Sequence, residues 1–140
     1  MEQLTIVIID DDPVSHLIAR KVIQNSDPNC VITRFFNPIA ALEYFTQHHD
    51  NIDHLPDIIF LDLNMPVMDG WQFLEALGAV ELKKDIYLVM LTSSVYREDK
   101  IKASQFELVN AFESKPLTTE KYRAIKEKAL DYHVGRSRNF

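Results

Sequence analysis

The stretch Ile58-Ile59-Phe60-Leu61-Asp62-Leu63-Asn64-Met65-Pro66-Val67-Met68-Asp69-Gly70 decides the fold. Its first four residues are apolar, which predicts a strand buried on both faces. Asp62 stands where that strand stops. Pro66 has no N–H to give to a ladder and closes the pairing. Asp69-Gly70 then opens a helix, with Asp69 as N-cap and Trp71, Phe73, Leu74 and Leu77 on its buried face. A carboxylate at the C-terminal lip of a buried strand occupies the place where open parallel sheets bind ligands. Taken alone, Asp62 is equally well a plain polar strand terminus, and the rest of the chain has to decide.

Working outward, the same unit recurs. Leu4–Ile9 predicts a buried strand, ended by Asp10-Asp11-Asp12-Pro13, with Pro13 in the first turn of a helix. That helix carries Val14, Leu17, Ile18 and Val22 at helical spacing, which predicts a buried stripe. Cys30–Phe36 follows as a strand, and Asn37-Pro38 as N-cap and first residue of the next helix. Gln47–Pro56 is a polar loop. It holds His48, His49, Asp50, Asp53 and His54, whose spacing matches no tetrahedral metal pattern, so a solvated loop is expected. A helix is expected over Asp69–Leu82, a strand over Asp85–Leu91, a polar helix over Val95–Phe106, a strand over Leu108–Phe112 and a last helix from Thr118. Residues 135–140 are expected to fray, which leaves residues 1–134 as one domain.

Five strands alternating with five helices, joined by short connections, predict an α/β fold: a parallel sheet with helices on both faces. Right-handed crossovers bring every strand's C-terminal end to one edge. The 140 residues leave nothing for a second domain, and a 46% hydrophobic content suffices for a real core. A formal net charge of -6 argues against a sequence-independent nucleic-acid binder and suits a cation better. Cys30 is the only cysteine, so no intramolecular disulfide forms, and a reducing compartment fits. The first apolar run is cut off by three aspartates, which is neither a signal peptide nor a membrane span. The expectation is a soluble, cytoplasmic protein.

The shared edge gathers chemistry from the whole chain. Asp10 and Asp11 follow the first strand, Asp62 the third, Thr92 and Ser93 the fourth, and Lys115 the fifth. Three carboxylates crowded together repel one another and call for a cation. Oxygen donors in that number suit Mg²⁺, which keeps several waters and takes one or two carboxylates together with phosphate oxygens. Asp62 is then the best placed nucleophile for an aspartyl phosphate, with Lys115 and the Thr92 hydroxyl on the remaining phosphoryl oxygens.

The motifs Ile8-Ile9-Asp10-Asp11, Leu61-Asp62-Leu63-Asn64-Met65-Pro66-Val67-Met68-Asp69-Gly70, Leu91-Thr92-Ser93 and Ser114-Lys115-Pro116 resemble those of the receiver domain of two-component response regulators, of the single-domain chemotaxis type. The resemblance covers residues 4–132. It implies a flavodoxin-like (βα)5 fold with strand order 2-1-3-4-5. It implies Asp62 as phosphoacceptor, and Mg²⁺ held by Asp10, Asp11, Asp62 and the main-chain carbonyl of Asn64. Thr92 becomes the switch hydroxyl, Lys115 the phosphate contact, and Phe112 stands at the switch aromatic position, where the family often has Tyr. The Lys115-Pro116 bond is expected to be cis. The implied partners are a histidine kinase or histidine phosphotransfer protein as donor and a downstream protein, with no nucleic acid or membrane. A monomer or weak homodimer is expected. The fourth helix, fifth strand and fifth helix, with Tyr96 and Arg97, form the implied output surface. A glycine usual before the fifth strand is missing from Ala103-Ser104-Gln105-Phe106-Glu107, so an irregular helix end is expected there.

Two other functions compete. A Mg²⁺-dependent aspartyl-nucleophile phosphatase uses similar groups, but its DxD nucleophile follows the first strand; here that place holds Asp10-Asp11-Asp12-Pro13. A flavin-binding module needs a Ser/Thr/Gly phosphate cradle after the first strand, and three aspartates repel phosphate.

Overall fold

Runs too apolar to tolerate water on either face make the middle of the sheet. The computed structural model describes residues 3–137. Strands and helices alternate in it: β1 (Thr5–Ile9), α1 (Pro13–Ser26), β2 (Val31–Phe35), α2 (Pro38–Gln47), β3 (Ile58–Leu61), α3 (Gly70–Gly78), β4 (Tyr87–Thr92), α4 (Arg97–Ser104), β5 (Val109–Ser114) and α5 (Thr119–Ser137). All pairings are parallel, in the order β2-β1-β3-β4-β5. The fold expected from the sequence is the one observed.

Alternation along β1 divides the core in two. Val7 and Ile9 point to the face covered by α2, α3 and α4, where Phe45, Phe73, Leu74, Leu77 and Ala103 pack. Ile6 and Ile8 point to the face covered by α1 and α5, where Ala19, Ile23, Tyr122, Ile125 and Ala129 pack. Ile58–Leu61 is buried on both sides. Fully burying one such side chain contributes about 2 kcal/mol. The order reverses between β1 and β3, so the ends of these two strands flank the crevice where such sheets bind ligands.

The helix starts follow local chemistry. The Asp12 carboxylate accepts from the Val14 N–H and caps α1, with Pro13 in its first turn. Asn37 and Pro38 do the same for α2. Asp69 and Gln72 form a reciprocal capping box on α3. Gly70 is required there: a Cβ would meet the Asp62 carbonyl oxygen at 2.8 Å and the Leu63 Cα at 2.9 Å. Val67, just before, has φ 70°, a left-handed conformation unfavourable for a β-branched residue.

Several expectations are corrected. On α1 the buried residues are His16, Ala19 and Ile23, whereas Val14, Leu17 and Ile18 are exposed. The apolar stripe therefore lies partly on the solvent side, and the inward place at its start belongs to a histidine. α3 ends at Gly78 rather than Leu82, because the chain turns at Ala79; Leu82 still packs on the core from the loop. α4 spans only Arg97–Ser104 and closes through Gln105 in right-handed geometry, so the absent glycine is replaced by a tight turn. β5 begins one residue later than expected and runs on to Ser114. Asn110 is an extra residue opposite the Leu88/Val89 step, and its side-chain oxygen takes the Leu88 N–H. The polar loop contains a 3₁₀ turn, Ile52–His54, with the His48 and His54 rings stacked at 4.5 Å. α5 spans Thr119–Ser137, and residues 138–140 of the expected tail lie outside the described residues.

Candidate functional site

β1 and β3 end side by side, and each delivers a carboxylate. The Asp10 N–H still pairs with the Phe35 carbonyl at 3.1 Å, and the Asp62 N–H with that of Ile9 at 2.9 Å. Both residues are therefore held by strand-like hydrogen bonds one step beyond the strands. Asp10 and Asp62 are 3% and 6% exposed. Asp62, at the lip of β3, is buried: the loop to α3 folds back over it through the Gly70 N–H to Leu63 carbonyl bond of 2.8 Å. Asp11 is exposed and forms the open side of the site. One ligand atom from each of Asp10, Asp11 and Asp62 lies within 4.8 Å of the others.

Lys115 arrives from the end of β5. Its Nζ lies 2.7 Å from Asp10 Oδ2 and 3.3 Å from Asp62 Oδ2. The same ammonium donates to Ser15 Oγ at 3.1 Å. The Lys115 main-chain N–H donates to the Thr92 carbonyl at 2.9 Å, which locks the ends of β4 and β5 together. The Lys115-Pro116 peptide bond is cis, as expected.

The charges act on one another. Burial pushes the Asp62 carboxyl above its ordinary pKa, and the Asp10 carboxylate adds to that; Lys115 and the Asn64 main-chain N–H pull the other way without reversing it. Burial would lower the Lys115 ammonium, but its bond to Asp10 and the attraction of Asp62 outweigh this and raise it. One half-buried cation thus serves two buried anions, with an exposed third anion beside them. An arrangement short of positive charge and built of oxygen donors fits a hard divalent cation of the Mg²⁺ type.

The remaining expected residues lie on β4, β5 and the loops beside them. Asn64 follows Asp62 by two, and its main-chain N–H favours the ionised form of that carboxylate. Thr92 is fully buried at the end of β4, and its hydroxyl oxygen accepts from the Ser94 N–H at 3.1 Å. Phe112 is half-buried on β5 opposite Met90, against the α3–α4 side of the core. Tyr96 is exposed as the residue before α4. The sequence did not single out Ser15 or His16 for the site. Ser15 offered a signal, as the first hydroxyl after the aspartates; His16 offered none beyond its identity. Asp12, the third aspartate of the run, caps α1 and is not one of the three clustered carboxylates. Among the described residues that cluster is the one group of three possible metal ligands, and the histidine loop supplies none.

Known proteins share this organisation. The chain matches the model of the response regulator receiver domain over residues 6–126. It is 31% identical over 100 residues to a probable methanogenesis regulatory protein, FilR2, of Methanothrix harundinacea, covering 71% of this chain and 64% of that protein. It is 28% identical over 140 residues to a protein-glutamate methylesterase/protein-glutamine glutaminase of Treponema pallidum, covering 98% of this chain and 33% of that one. The chain thus spans between a third and two-thirds of the length of these relatives. A two-component response regulator from Cytophaga hutchinsonii superposes with a TM-score of 0.81 at 25% identity, covering 91% of this chain and 96% of that one. The chemotaxis protein CheY4 of Vibrio cholerae shares the fold, with a TM-score of 0.71 at 19% identity, covering 91% and 98%. The fold, the aspartates at the ends of β1 and β3, the lysine after β5 and the family match converge: the chain belongs to the response regulator receiver domain family.

Proposed function

We propose that this receiver domain is a phosphoacceptor signalling module with Asp62 as the acceptor. The observation that carries this reading is the convergence of Asp10, Asp11 and Asp62 within 4.8 Å, with Lys115 Nζ bridging Asp10 and Asp62. Asp62 is the central carboxylate of the three, and its main-chain position is fixed by β3.

In the proposed reaction an Asp62 carboxylate oxygen attacks the phosphorus of a phosphohistidine donor. The O–P bond forms, the N–P bond breaks, and the departing imidazole takes up a proton. Asp10, Asp11, Asp62 and the Asn64 carbonyl would hold Mg²⁺, which neutralises charge on the transferring phosphoryl group. Lys115 moves its attraction from two carboxylates to the phosphoryl oxygens. The loop at Gly70 keeps Asp62 from straying, which is most of what phosphoryl transfer asks of a protein.

The switch follows from Thr92. Its hydroxyl holds the Ser94 N–H, and the Ser94 hydroxyl in turn donates to Asp99 in the first turn of α4. α4 has no side-chain cap at Tyr96, so Ser94 is its anchor. Motion of Thr92 toward a phosphoryl group therefore pulls on the start of α4, and Phe112 beside it repacks. Having no hydroxyl, Phe112 chooses between positions by burial alone. The surface of α4, β5 and α5 then changes its affinity for a downstream protein. The donor is a histidine kinase or phosphotransfer protein, acting in the cytoplasm. No helix among the described residues is long and apolar enough to cross a membrane.

The test is transfer of labelled phosphate from a phosphohistidine protein, followed by backbone NMR. Label on wild type and none on Asp62→Asn is expected, with shifts in Thr92–Asp99 and Phe112–Lys115. Label retained by the variant, or shifts confined to the opposite edge of the sheet, contradicts the reading.

A further inference from the structure

His16 is the one histidine of α1, and it is fully buried. Its Nε2 lies 2.6 Å from the main-chain oxygen of Asp10. A carbonyl oxygen only accepts, so Nε2 carries the proton and donates. Nδ1 is then an acceptor, and it has no hydrogen-bond partner although it is buried. The ring is covered by Phe36, with centroids 4.1 Å apart, and the Arg34 guanidinium lies 5.8 Å from the Phe36 ring.

A polar ring with an orphan nitrogen is a poor choice for packing alone. A leucine would fill an inward-facing helix position without burying an unpaired ring nitrogen. What the ring supplies instead is a donor for the Asp10 carbonyl, the first main-chain acceptor beyond the end of β1. A buried carbonyl of that kind needs a partner. The peptide it belongs to joins Asp10 to Asp11, two of the three clustered carboxylates. The Asp10 side chain is already fixed, by Lys115 and by the Asp12 N–H at 2.9 Å. The Asp10–Asp11 peptide plane is braced by the His16 bond, and its rotation would swing exposed Asp11 away from Asp10 and Asp62.

We propose that His16 is a positioning residue: its Nε2–H fixes the Asp10–Asp11 peptide plane and thereby sets the acidic pair for a divalent cation. This rests on the reading of the cluster as a Mg²⁺ site. His16 acts through the backbone of the ligands and touches neither cation nor phosphoryl group. It is therefore an outer partner of the site, a class of residue whose loss typically costs about 10–100-fold in metal affinity.

Calorimetric titration with Mg²⁺ at constant ionic strength tests it, on wild type, His16→Leu and His16→Gln, with thermal melts of each. His16→Leu strands the Asp10 carbonyl, and is expected to melt below the wild-type temperature without metal while still folding, and to bind Mg²⁺ about 10-fold more weakly. His16→Gln, which restores an N–H donor, is expected to recover most of the affinity. A folded His16→Leu that binds Mg²⁺ like wild type overturns the proposal and leaves the receiver reading standing. Wild type that binds no Mg²⁺ overturns both. Should His16→Leu fail to fold, the wild-type His16 Nε2–H resonance decides: a shift on Mg²⁺ addition supports the role, and an unmoved resonance rejects it.

Discussion

Two buried aspartates show how differently one residue type can be used. Asp57, at the start of β3, is 5% exposed and fully engaged. Its carboxylate accepts from the Thr5 N–H at 2.9 Å and pairs with Lys84 at 2.9 Å. Asp62, at the other end of the same strand, shares one ammonium with Asp10 and keeps a raised pKa. The first has a cation of its own, and the second shares one with a neighbouring carboxylate. Lys115 is what makes this tolerable. Replacing it with Met leaves two buried carboxylates without their cation, and removing one partner of a buried pair costs about 3 kcal/mol. Lys115→Met is expected to lose about that much in denaturant unfolding with EDTA present and to regain most of it when Mg²⁺ is added, since a ligand that binds only the folded state stabilises it. Equal stability of variant and wild type in EDTA would remove Lys115 from this balance. These residues were legible because their chemistry is tied to strand ends, and the topology fixes where strand ends go. The burial of Asp62 was not, since it depends on a loop folding back, which no periodicity records.

Elements were read well where several signals agreed and poorly where one stood alone. α3 has a capping box, a required glycine and an apolar face, and its start was placed correctly. Its end was not, because Val80 and Leu82 continue the apolar pattern from the following loop. α1 misled for the opposite reason: counting apolar residues selected Val14, Leu17 and Ile18, while the inward position belongs to polar His16. The Asn110 bulge left no trace, being one residue in an otherwise ordinary strand. The close approach at Gly70 yields a sharp expectation. Gly70→Ala places a methyl group 2.8 Å from the Asp62 carbonyl oxygen, and backbone on both sides cannot yield cheaply. A loss of about 2–3 kcal/mol is expected by chemical denaturation, with weakened Mg²⁺ binding as the Asp62–Asn64 segment shifts. A variant as stable as wild type would mean that this loop is looser than its contacts imply.

At the scale of the whole molecule, the sheet has a chemical edge and a structural one, and α5 ties its outer end to α1. Tyr122 donates to Asp27 at 2.6 Å, and Lys126 pairs with the same carboxylate. At Asp27 burial opposes ionisation, but the bonds from Lys126 and Tyr122 prevail and hold its pKa below the usual range. Burial and the Asp27 carboxylate push the Tyr122 phenol far above its usual range. Lys115 is raised as well. Groups whose pKa rises on folding contribute stability below their unfolded pKa, and that contribution fades as pH climbs past it. The metal-free protein is therefore expected to lose melting temperature above about pH 10. The lowered Asp27 contributes above its unfolded pKa and loses its share as pH falls below about 4. Tyr122→Phe removes one hydrogen bond to a charged group, costing about 1–2 kcal/mol at neutral pH, and flattens the alkaline decline. Melting curves across pH would check this; an alkaline limb as steep in Tyr122→Phe as in wild type would exclude the tyrosine as its source.

Every step of the proposed switch depends on Asp62 accepting a phosphoryl group. The most direct measurement is intact-mass spectrometry after incubation with acetyl phosphate, with and without Mg²⁺, followed by borohydride reduction and peptide mapping. One Mg²⁺-dependent phosphoryl adduct mapping to Asp62, and absent from Asp62→Asn, is the predicted result. An adduct on another residue, or one that persists in Asp62→Asn, would contradict the account.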